Sequence, residues 1–180
     1  MKKFEEKSVR SERIYEGKVV SLKIDDVILP NGKEAKREII NHPGAVAIIA
    51  ITDEGKLVLV EQYRKALERS IIEIPAGKLE KGEAPEQTAR RELEEETGYG
   101  CQNLTYVQSF ATSPGFADEI IHIFVATDLY QIEEKAALDE DEFVSLMEVT
   151  VEEAEKMVKD QHIFDAKTAF AVLWMKLNKA

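Results

Sequence analysis

The chain has 180 residues and a formal net charge of −11 at pH 7, and 44% of its residues are hydrophobic. That hydrophobic fraction is ordinary for a soluble globular domain, and no apolar run approaches the roughly 20 residues that span a bilayer. The acidity argues against a nucleic acid partner, because neutralising phosphates requires a basic stripe and none is visible. The one cysteine, Cys101, excludes an internal disulfide, and the first ten residues lack the apolar stretch of a secretory signal, so we expect a cytoplasmic protein.

The pattern of apolar residues, turns and helix caps predicts strands and helices in alternation. In chain order these are a β-hairpin at 14–41 with its turn at 30–33, strands at 45–51, 57–62 and 71–74, a helix from Pro85 to Gly98, strands at 104–111, 120–126 and 143–149, a helix from a cap at Thr150 to about Lys159, and a last helix capped by Asp165. On that last helix one apolar face consists of Ala169, Phe170, Leu173 and Leu177. The pattern indicates an α/β fold with a mixed sheet between helices. The His-Pro-Gly break at 42–44 separates an N-terminal β-rich appendage (1–42) from a main domain (43–180).

Four glutamates crowd the C-terminal end of the helix that follows Pro85: Glu92, Glu94, Glu95 and Glu96. The helix macrodipole is negative there, and each misplaced carboxylate costs about 0.3–1 kcal/mol, so a positive group must compensate. At about 100° per residue, Glu92, Glu95 and Glu96 share one face. Oxygen ligands of this kind suit Mg²⁺ or Mn²⁺ better than zinc. A solvated acidic face with i,i+4 ion pairs also accounts for the charges, and charge alone leaves both interpretations open.

The spacing around this helix resembles the Nudix box. The matching residues are Gly77, Glu83, Arg91, Glu92, Leu93, Glu95, Glu96 and Gly98. Tyr99, the final position, is usually aliphatic and is a mild departure. The resemblance implies a Nudix α/β/α sandwich and metal-dependent hydrolysis of a nucleoside diphosphate linked to another group. The implied ligands of Mg²⁺, with Mn²⁺ as an alternative, are Glu92, Glu95, Glu96 and the backbone carbonyl of Ala76. Arg91 is expected to hold Glu83 and so to orient the metal ligands.

From about residue 10 onward the chain is similar to the ADP-ribose pyrophosphatase branch of that family. Pro114 lies fifteen residues beyond Tyr99, the loop 113–119 is similar to the substrate loop of the branch, and segments 61–64 and 73–77 match its approach to the box. The N-terminal appendage is also typical of the branch, where it is exchanged across a homodimer. The residues expected to contact the substrate are Arg37, Arg64, Glu73, Glu119 and Tyr15.

These substrate residues have different expected roles. Arg64 ends a strand near the box and could grip a diphosphate, and Arg37 could reach the site of a partner subunit. Tyr15 is a candidate for stacking on adenine, and Glu119 for accepting a hydrogen bond from a ribose hydroxyl. A surface ion pair for each arginine, a core position for the tyrosine and an exposed loop position for Glu119 remain open.

The acidic cluster at 139–142 comes just before the strand at 143–149. In the enzymes that the chain resembles, a glutamate on a mobile loop at this place supplies the base for the attacking water or closes on a metal ion. Glu140 and Glu142 are the two candidates, with a slight preference for Glu142.

The expected function is Mg²⁺-dependent hydrolysis of ADP-ribose to AMP and ribose 5-phosphate. A sugar nucleotide, a flavin dinucleotide or a diadenosine polyphosphate would use the same box and remains an alternative substrate. A non-catalytic ADP-ribose sensor is a further alternative, which the complete set of glutamates disfavours. We expect a homodimer, because the N-terminal hairpin is too small to bury a core of its own and because the resemblance implies exchange.

Overall fold

The computed structural model describes residues 3–133 and 143–178. The chain forms two compact units. The N-terminal unit comprises Met1–Gly44 and Phe110–Ile121, and the main unit comprises Ala45–Ser109 and His122–Ala180. The assignment of a separate role to an appendage at residues 1–42 stays a prediction.

The N-terminal unit contains a three-stranded antiparallel sheet in the order β1-β2-β3. Its strands are β1 Lys7–Glu16, β2 Ser21–Ile28 and β3 Glu34–Asn41. The predicted turn joins β2 to β3: Asn31 accepts a hydrogen bond from the Lys33 N–H, and Gly32 has the positive φ of 82° that this turn needs. The prediction missed β1, since its sequence KSVRSERIYE is rich in charge and its pairing with β2 shifts register twice.

The segment 110–121 belongs to the N-terminal unit because it docks on the end of β3. The Ile40 N–H donates to the Phe116 carbonyl at 2.7 Å, and the Asp118 N–H donates to the Ile40 carbonyl at 3.1 Å. The loop predicted to contact substrate is therefore held by the backbone of a neighbouring strand.

In the described residues of the main unit there are two sheets and three α-helices. Its elements are β4 Ala45–Ala50, β5 Leu57–Arg64, a 3-10 turn Lys65–Leu67, β6 Arg69–Glu73, β7 Ala76–Lys78, α1 Pro85–Thr97, β8 Tyr99–Ala111, β9 Ile120–Gln131, β10 Val144–Val149, α2 Val151–Lys159 and α3 Ala166–Asn178. One sheet has the order β10-β5-β6 and the other β7-β4-β9-β8, and β8 and β9 extend into the N-terminal unit. Among the described residues no helix is both long and apolar enough to cross a bilayer.

The core of the main unit forms around β4, whose six residues are all buried, as its apolar run predicted. Helix α1 packs on it through Ala89 and Leu93, which are both 0% exposed and form the buried stripe that their four-residue spacing predicts. Cys101, at 5% exposed, belongs to the same cluster, and burial raises the pKa of its thiol. It is a packed core residue.

The apolar face noted for α3 in the sequence is not the face that is buried. The buried residues are Thr168, Ala171, Val172 and Met175. Leu173 and Leu177, on that apolar face, are 59% and 82% exposed. The helix is apolar on several sides, so its pattern does not identify the inner one. The strand lengths also needed correction, because β8 begins at Tyr99 and β9 continues to Gln131.

Candidate active site

The two ends of α1 match their predictions. Pro85 lies in the first turn, and the Gln87 side chain accepts a hydrogen bond from the Ala84 N–H at 3.1 Å. Gly98 closes the helix with a φ of 74°, and its N–H donates to the Glu94 carbonyl at 2.9 Å. Helix α1 therefore ends at Thr97, directly after the glutamates of its last turn.

Arg91 reaches back along the helix to the loop that precedes it. Its Nη2 lies 3.2 Å from Glu83 Oε2, and its Nε lies 3.4 Å from Glu83 Oε1. Thr88 Oγ1 also donates to Glu83, at 2.8 Å. The bond from Arg91, followed by that from Thr88, holds the pKa of Glu83 below its ordinary value. The expected Arg91–Glu83 ion pair is present, and it ties the loop to the helix.

The same guanidinium gathers two of the helix carboxylates. Arg91 Nη1 lies 2.9 Å from Glu92 Oε1 and 2.8 Å from Glu95 Oε2. Both oxygens thus converge on one cationic nitrogen, on the face that the helix geometry predicted. The positive charge that this helix end needs is supplied in the described chain by Arg91.

The other side of the carboxylate face is formed by Ala76 and Gly77. A β-carbon at Gly77 would lie 1.8 Å from the carboxyl carbon of Glu92, so only glycine allows this approach. Glu96, at 3% exposed, accepts a hydrogen bond from the Ala76 N–H at 3.0 Å. Strand β7 and the last turn of α1 therefore meet through carboxylate oxygens.

The donor set fits a hard divalent cation. Glu92, Glu95 and Glu96 offer only oxygen, and two of their carboxylates already point at a single positive nitrogen. In the described part of the chain no group of three or more histidine, cysteine, aspartate or glutamate side chains has the spacing of a formed metal site. Arg91 stands against the glutamates instead, so binding a metal requires the side chains to rearrange around it.

Arg64 lies at the end of β5, and its Nε donates to Glu73 Oε2 at 2.5 Å. Glu73 ends β6 and is 3% exposed. A third residue, Lys167 at the start of α3, contacts the other oxygen of Glu73. Glu73 is therefore enclosed by cations of its own chain, and its predicted contact with substrate stays a prediction.

A comparison with models of protein families identifies the family of the chain. The model of the NUDIX domain matches residues 41–171. The chain belongs to the NUDIX family.

The sequence similarity to known proteins extends over the whole chain. The chain is 60% identical over 180 residues to an ADP-ribose pyrophosphatase of Bacillus subtilis (strain 168), with 100% of this chain and 97% of the relative covered. It is 61% identical to the methanol dehydrogenase activator of Bacillus methanolicus, with 99% and 97% covered. It is 34% identical to an ADP-ribose pyrophosphatase of Mycobacterium tuberculosis (strain ATCC 25618 / H37Rv), with 92% and 81% covered.

A solved structure supports the Nudix fold. The crystal structure of an ADP compounds hydrolase matches with a TM-score of 0.83 at 24% identity, covering 96% of this chain and 95% of that chain. The predicted α/β class, with a mixed sheet, helices and an antiparallel N-terminal sheet, is confirmed.

Three predicted substrate residues of this Nudix protein lie in the N-terminal unit. Arg37 on β3 binds Glu6 at 2.8 and 2.6 Å, and this pair raises the pKa of the guanidinium. Tyr15 on β1 is 58% exposed, so it is not a core aromatic in the single chain. Glu119 accepts a hydrogen bond from Thr112 within its own loop. Their contacts with substrate stay predictions.

A pocket of about 360 Å³ lies in the N-terminal unit. Its lining residues include Arg37, Pro114, Phe116 and Asp118. The Asp118 carboxylate accepts hydrogen bonds from Asn41 Nδ2 at 2.6 Å and the His42 N–H at 2.8 Å. Asp118 was not predicted as a site residue, although an acidic residue in a loop that contains proline and glycine is a common loop anchor.

The two candidate bases, Glu140 and Glu142, lie outside the described residues. Tyr99, the departure from the usual box, donates from its hydroxyl to Glu148 at 2.5 Å and packs beside the core cluster of the main unit. Lys167 was missed because its sequence neighbourhood indicated only a helix cap. That cap is present, since Asp165 accepts from the Thr168 N–H at 3.1 Å.

Proposed function

We propose that this Nudix protein hydrolyses the diphosphate of ADP-ribose, giving AMP and ribose 5-phosphate, with Mg²⁺ as its metal and Mn²⁺ as an alternative. The observation that carries the chemistry is the convergence of Glu92 and Glu95 on one cationic nitrogen beside Gly77. The choice of substrate is supported by the 60% identity, over the whole chain, to an ADP-ribose pyrophosphatase.

Glu92, Glu95, Glu96 and the backbone carbonyl of Ala76 would hold the metal. A divalent ion at such a site neutralises the diphosphate and activates water. The other roles belong to residues of the chain. Arg91 orients Glu83 and the ligand carboxylates, and Glu140 or Glu142 accepts the proton of the attacking water. Catalysis of this kind depends on positioning and charge more than on covalent chemistry.

Substrate binding is assigned to four residues. Arg64 would grip the diphosphate, and Arg37 would reach the site of a partner subunit. Glu119 would accept a hydrogen bond from a ribose hydroxyl, and Tyr15 would stack on adenine. The exposure of β1 along its whole length supports a homodimer that exchanges the N-terminal appendage. The protein would act in the cytoplasm, on a small nucleotide and without nucleic acid or membrane.

The test is the turnover of ADP-ribose in Mg²⁺ by Glu96→Gln. We expect a loss of at least about 100-fold with little change in thermal stability, because glutamine keeps the shape of the side chain and removes its charge. Glu94→Gln is the matched control, since Glu94 lies in the same last turn but off the carboxylate face. Turnover of Glu96→Gln within about threefold of wild type would sink the metal assignment.

A substrate panel tests the choice of ADP-ribose. GDP-mannose belongs in the panel because the chain is 34% identical, over 152 residues, to a GDP-mannose pyrophosphatase of Cronobacter sakazakii (strain ATCC BAA-894). Flavin adenine dinucleotide and diadenosine polyphosphates complete it. We expect the highest kcat/KM for ADP-ribose. Tight ADP-ribose binding without product in either Mg²⁺ or Mn²⁺ would instead identify a sensor.

A second candidate function is activation of a methanol dehydrogenase, which the 61% identity to the activator of Bacillus methanolicus favours. Adding the protein to a methanol dehydrogenase and measuring its rate tests this directly. Glu96→Gln separates the two possibilities, because activation that survives the substitution would not depend on hydrolysis.

A further inference from the structure

Four charged residues of the main unit form an alternating series. Glu73 binds Arg64 through Oε2 and Lys167 through Oε1, and Lys167 Nζ also lies 2.9 Å from Asp165 Oδ1. The order is cation, carboxylate, cation, carboxylate. Glu73 is 3% exposed and the Lys167 side chain 13% exposed, whereas the Arg64 side chain is 41% exposed. The buried members of the series are therefore connected to a guanidinium that is partly exposed to solvent.

The first turn of α3 anchors this series. Asp165 Oδ1 caps the helix by accepting from the Thr168 N–H at 3.1 Å, and Thr168 Oγ1 accepts from the Ile74 N–H at 2.9 Å. The turn thus holds the side chain of Glu73 and the backbone of Ile74 together. That segment runs directly into Ala76, where the proposed metal ligands begin.

The bond from Glu73 leaves one edge of Arg64 available. It engages Nε, and among the described residues neither Nη1 nor Nη2 of Arg64 donates a hydrogen bond. A guanidinium held through Nε presents its two terminal nitrogens in a fixed orientation. This is the arrangement that binds two phosphate oxygens at once.

We propose that Lys167 is a positioning residue, which holds Glu73 so that Glu73 orients Arg64 toward the diphosphate of the substrate. The proposal rests on the proposed function, because it assigns Arg64 to a nucleoside diphosphate. It also revises the role of Glu73, which acts through Arg64 rather than touching the substrate.

The charge balance gives the physical reason. With Lys167 present, the series has two positive and two negative members. Without it, Arg64 is the one cation left in the series and Glu73 its nearest carboxylate, while Asp165 Oδ2 is already buried without a hydrogen bond to any described residue. Arg64 is then drawn toward Glu73 and away from the substrate. Loss of Lys167 should therefore weaken binding of the diphosphate more than it slows the chemical step.

The experiment measures kcat and KM for ADP-ribose in Mg²⁺ with Lys167→Met and Lys167→Arg. We expect KM to rise about tenfold in Lys167→Met with kcat within about threefold, and Lys167→Arg to recover most of the loss. Lys176→Met is the matched control, because Lys176 lies on the same helix and binds Glu155 at the surface. Its KM should stay within about twofold of wild type.

A double variant separates positioning from general electrostatics. If Lys167 acts through Arg64, Lys167→Met should change KM by less than about twofold in an Arg64→Gln background. An equal effect in both backgrounds would show that Lys167 acts on the substrate independently, and would overturn the proposal. An unchanged KM in the single variant would overturn it as well.

Failure of folding is also decisive. Lys167→Gln replaces Lys167→Met if the latter is insoluble, and if neither neutral variant folds, Lys167 is a structural residue and the proposal is wrong. The proposed function fails separately, when wild type does not hydrolyse ADP-ribose. In that case the same variants are measured with the best substrate of the panel, and an inactive wild type on every member would overturn both proposals.

Discussion

The Nudix box and strand β1 of the N-terminal sheet differ in how far their charged side chains are paired and buried and in how far their apolar side chains are exposed. In the box, one arginine bonds to three glutamates, and Glu92 and Glu96 are 7% and 3% exposed. In β1 all ten residues are exposed, including the apolar Val9 at 59%. Its ion pairs join side chains that are more than half exposed, and such pairs contribute only about 0–1 kcal/mol.

The difference separates chemistry from assembly. Charges that are nearly buried must be held correctly by their neighbours, because a buried charge left without a partner is costly. An exposed strand with apolar side chains carries no such constraint and has surface available for another chain. Substitutions in the box should therefore change turnover, whereas substitutions in β1 should first change the oligomeric state.

The largest effect is expected for Gly77→Ala. The added methyl group would lie 1.8 Å from the carboxyl carbon of Glu92, so the carboxylate must move. We expect turnover of ADP-ribose to fall by at least about 100-fold, because a small misplacement of a catalytic group is this expensive. Gly32→Asn is the control, since no atom lies within 4 Å there and asparagine tolerates a positive φ. Near-normal turnover of Gly77→Ala would mean that the position of Glu92 is unimportant.

Arg91→Lys should have the next largest effect. A lysine can keep one contact, but it cannot bond to Glu83, Glu92 and Glu95 together as the guanidinium does. We expect turnover to fall about 10–100-fold and the Mg²⁺ concentration for half-maximal rate to rise. Arg90→Lys, one residue earlier on the same helix, should stay within about threefold. Equal losses in both variants would reduce the role of Arg91 to helix stability.

Val9→Glu tests whether the exposed strand β1 takes part in assembly. If β1 takes part in a homodimer, a charge at this exposed apolar position should oppose association. Light scattering should give about twice the chain mass of 20.3 kDa for wild type and a shift toward that mass for the variant. Leu173→Glu tests the exposed face of α3 in the same way, and we expect it to leave the dimer intact. A wild-type monomer at all concentrations would refute the dimer.

The contrast between box and sheet also shows which features could be predicted from the sequence. The box is local: its glutamates, its arginine and its two glycines lie within 22 residues, and helical periodicity alone puts Glu92, Glu95 and Glu96 on one face. Their spacing is therefore sufficient to predict the site. The buried strand β4 could be predicted equally well, because a short continuous apolar run bounded by turn residues is typical of a buried strand.

The missed features depend on residues distant in sequence. Lys167 meets Glu73 across 94 positions, and no local pattern predicts that contact. The buried face of α3 is defined partly by Thr168, a polar residue that satisfies the Ile74 N–H. β1 is a strand because β2 pairs with it, although its own composition does not favour one. Tertiary contacts decided each of these cases.

The smallest effect concerns Asp118, an exposed residue whose carboxylate anchors a loop of the N-terminal unit. Burial acts to raise the pKa of this carboxyl, but the hydrogen bonds from Asn41 and the His42 N–H outweigh it and hold the pKa below its ordinary value of 3.8. A carboxyl with a lowered folded-state pKa stabilises the protein above its unfolded pKa, and loses that contribution as the pH falls through the folded value. Asp118→Asn should therefore cost at most about 1 kcal/mol at pH 7, because Asp118 is exposed and water screens its charge, and the difference from wild type should shrink below about pH 3.8.

Thermal unfolding at pH 7 and at about pH 3 measures this difference. Asp26→Asn is the control, because Asp26 binds Lys36 at an exposed site in the same unit and should cost only about 0.3 kcal/mol. A cost for Asp118→Asn that is the same at both pH values would assign the effect to shape rather than charge. The expected result would instead show that the charge of Asp118 helps to anchor the loop beside Pro114, much as the charge of Glu83 anchors the loop of the Nudix box.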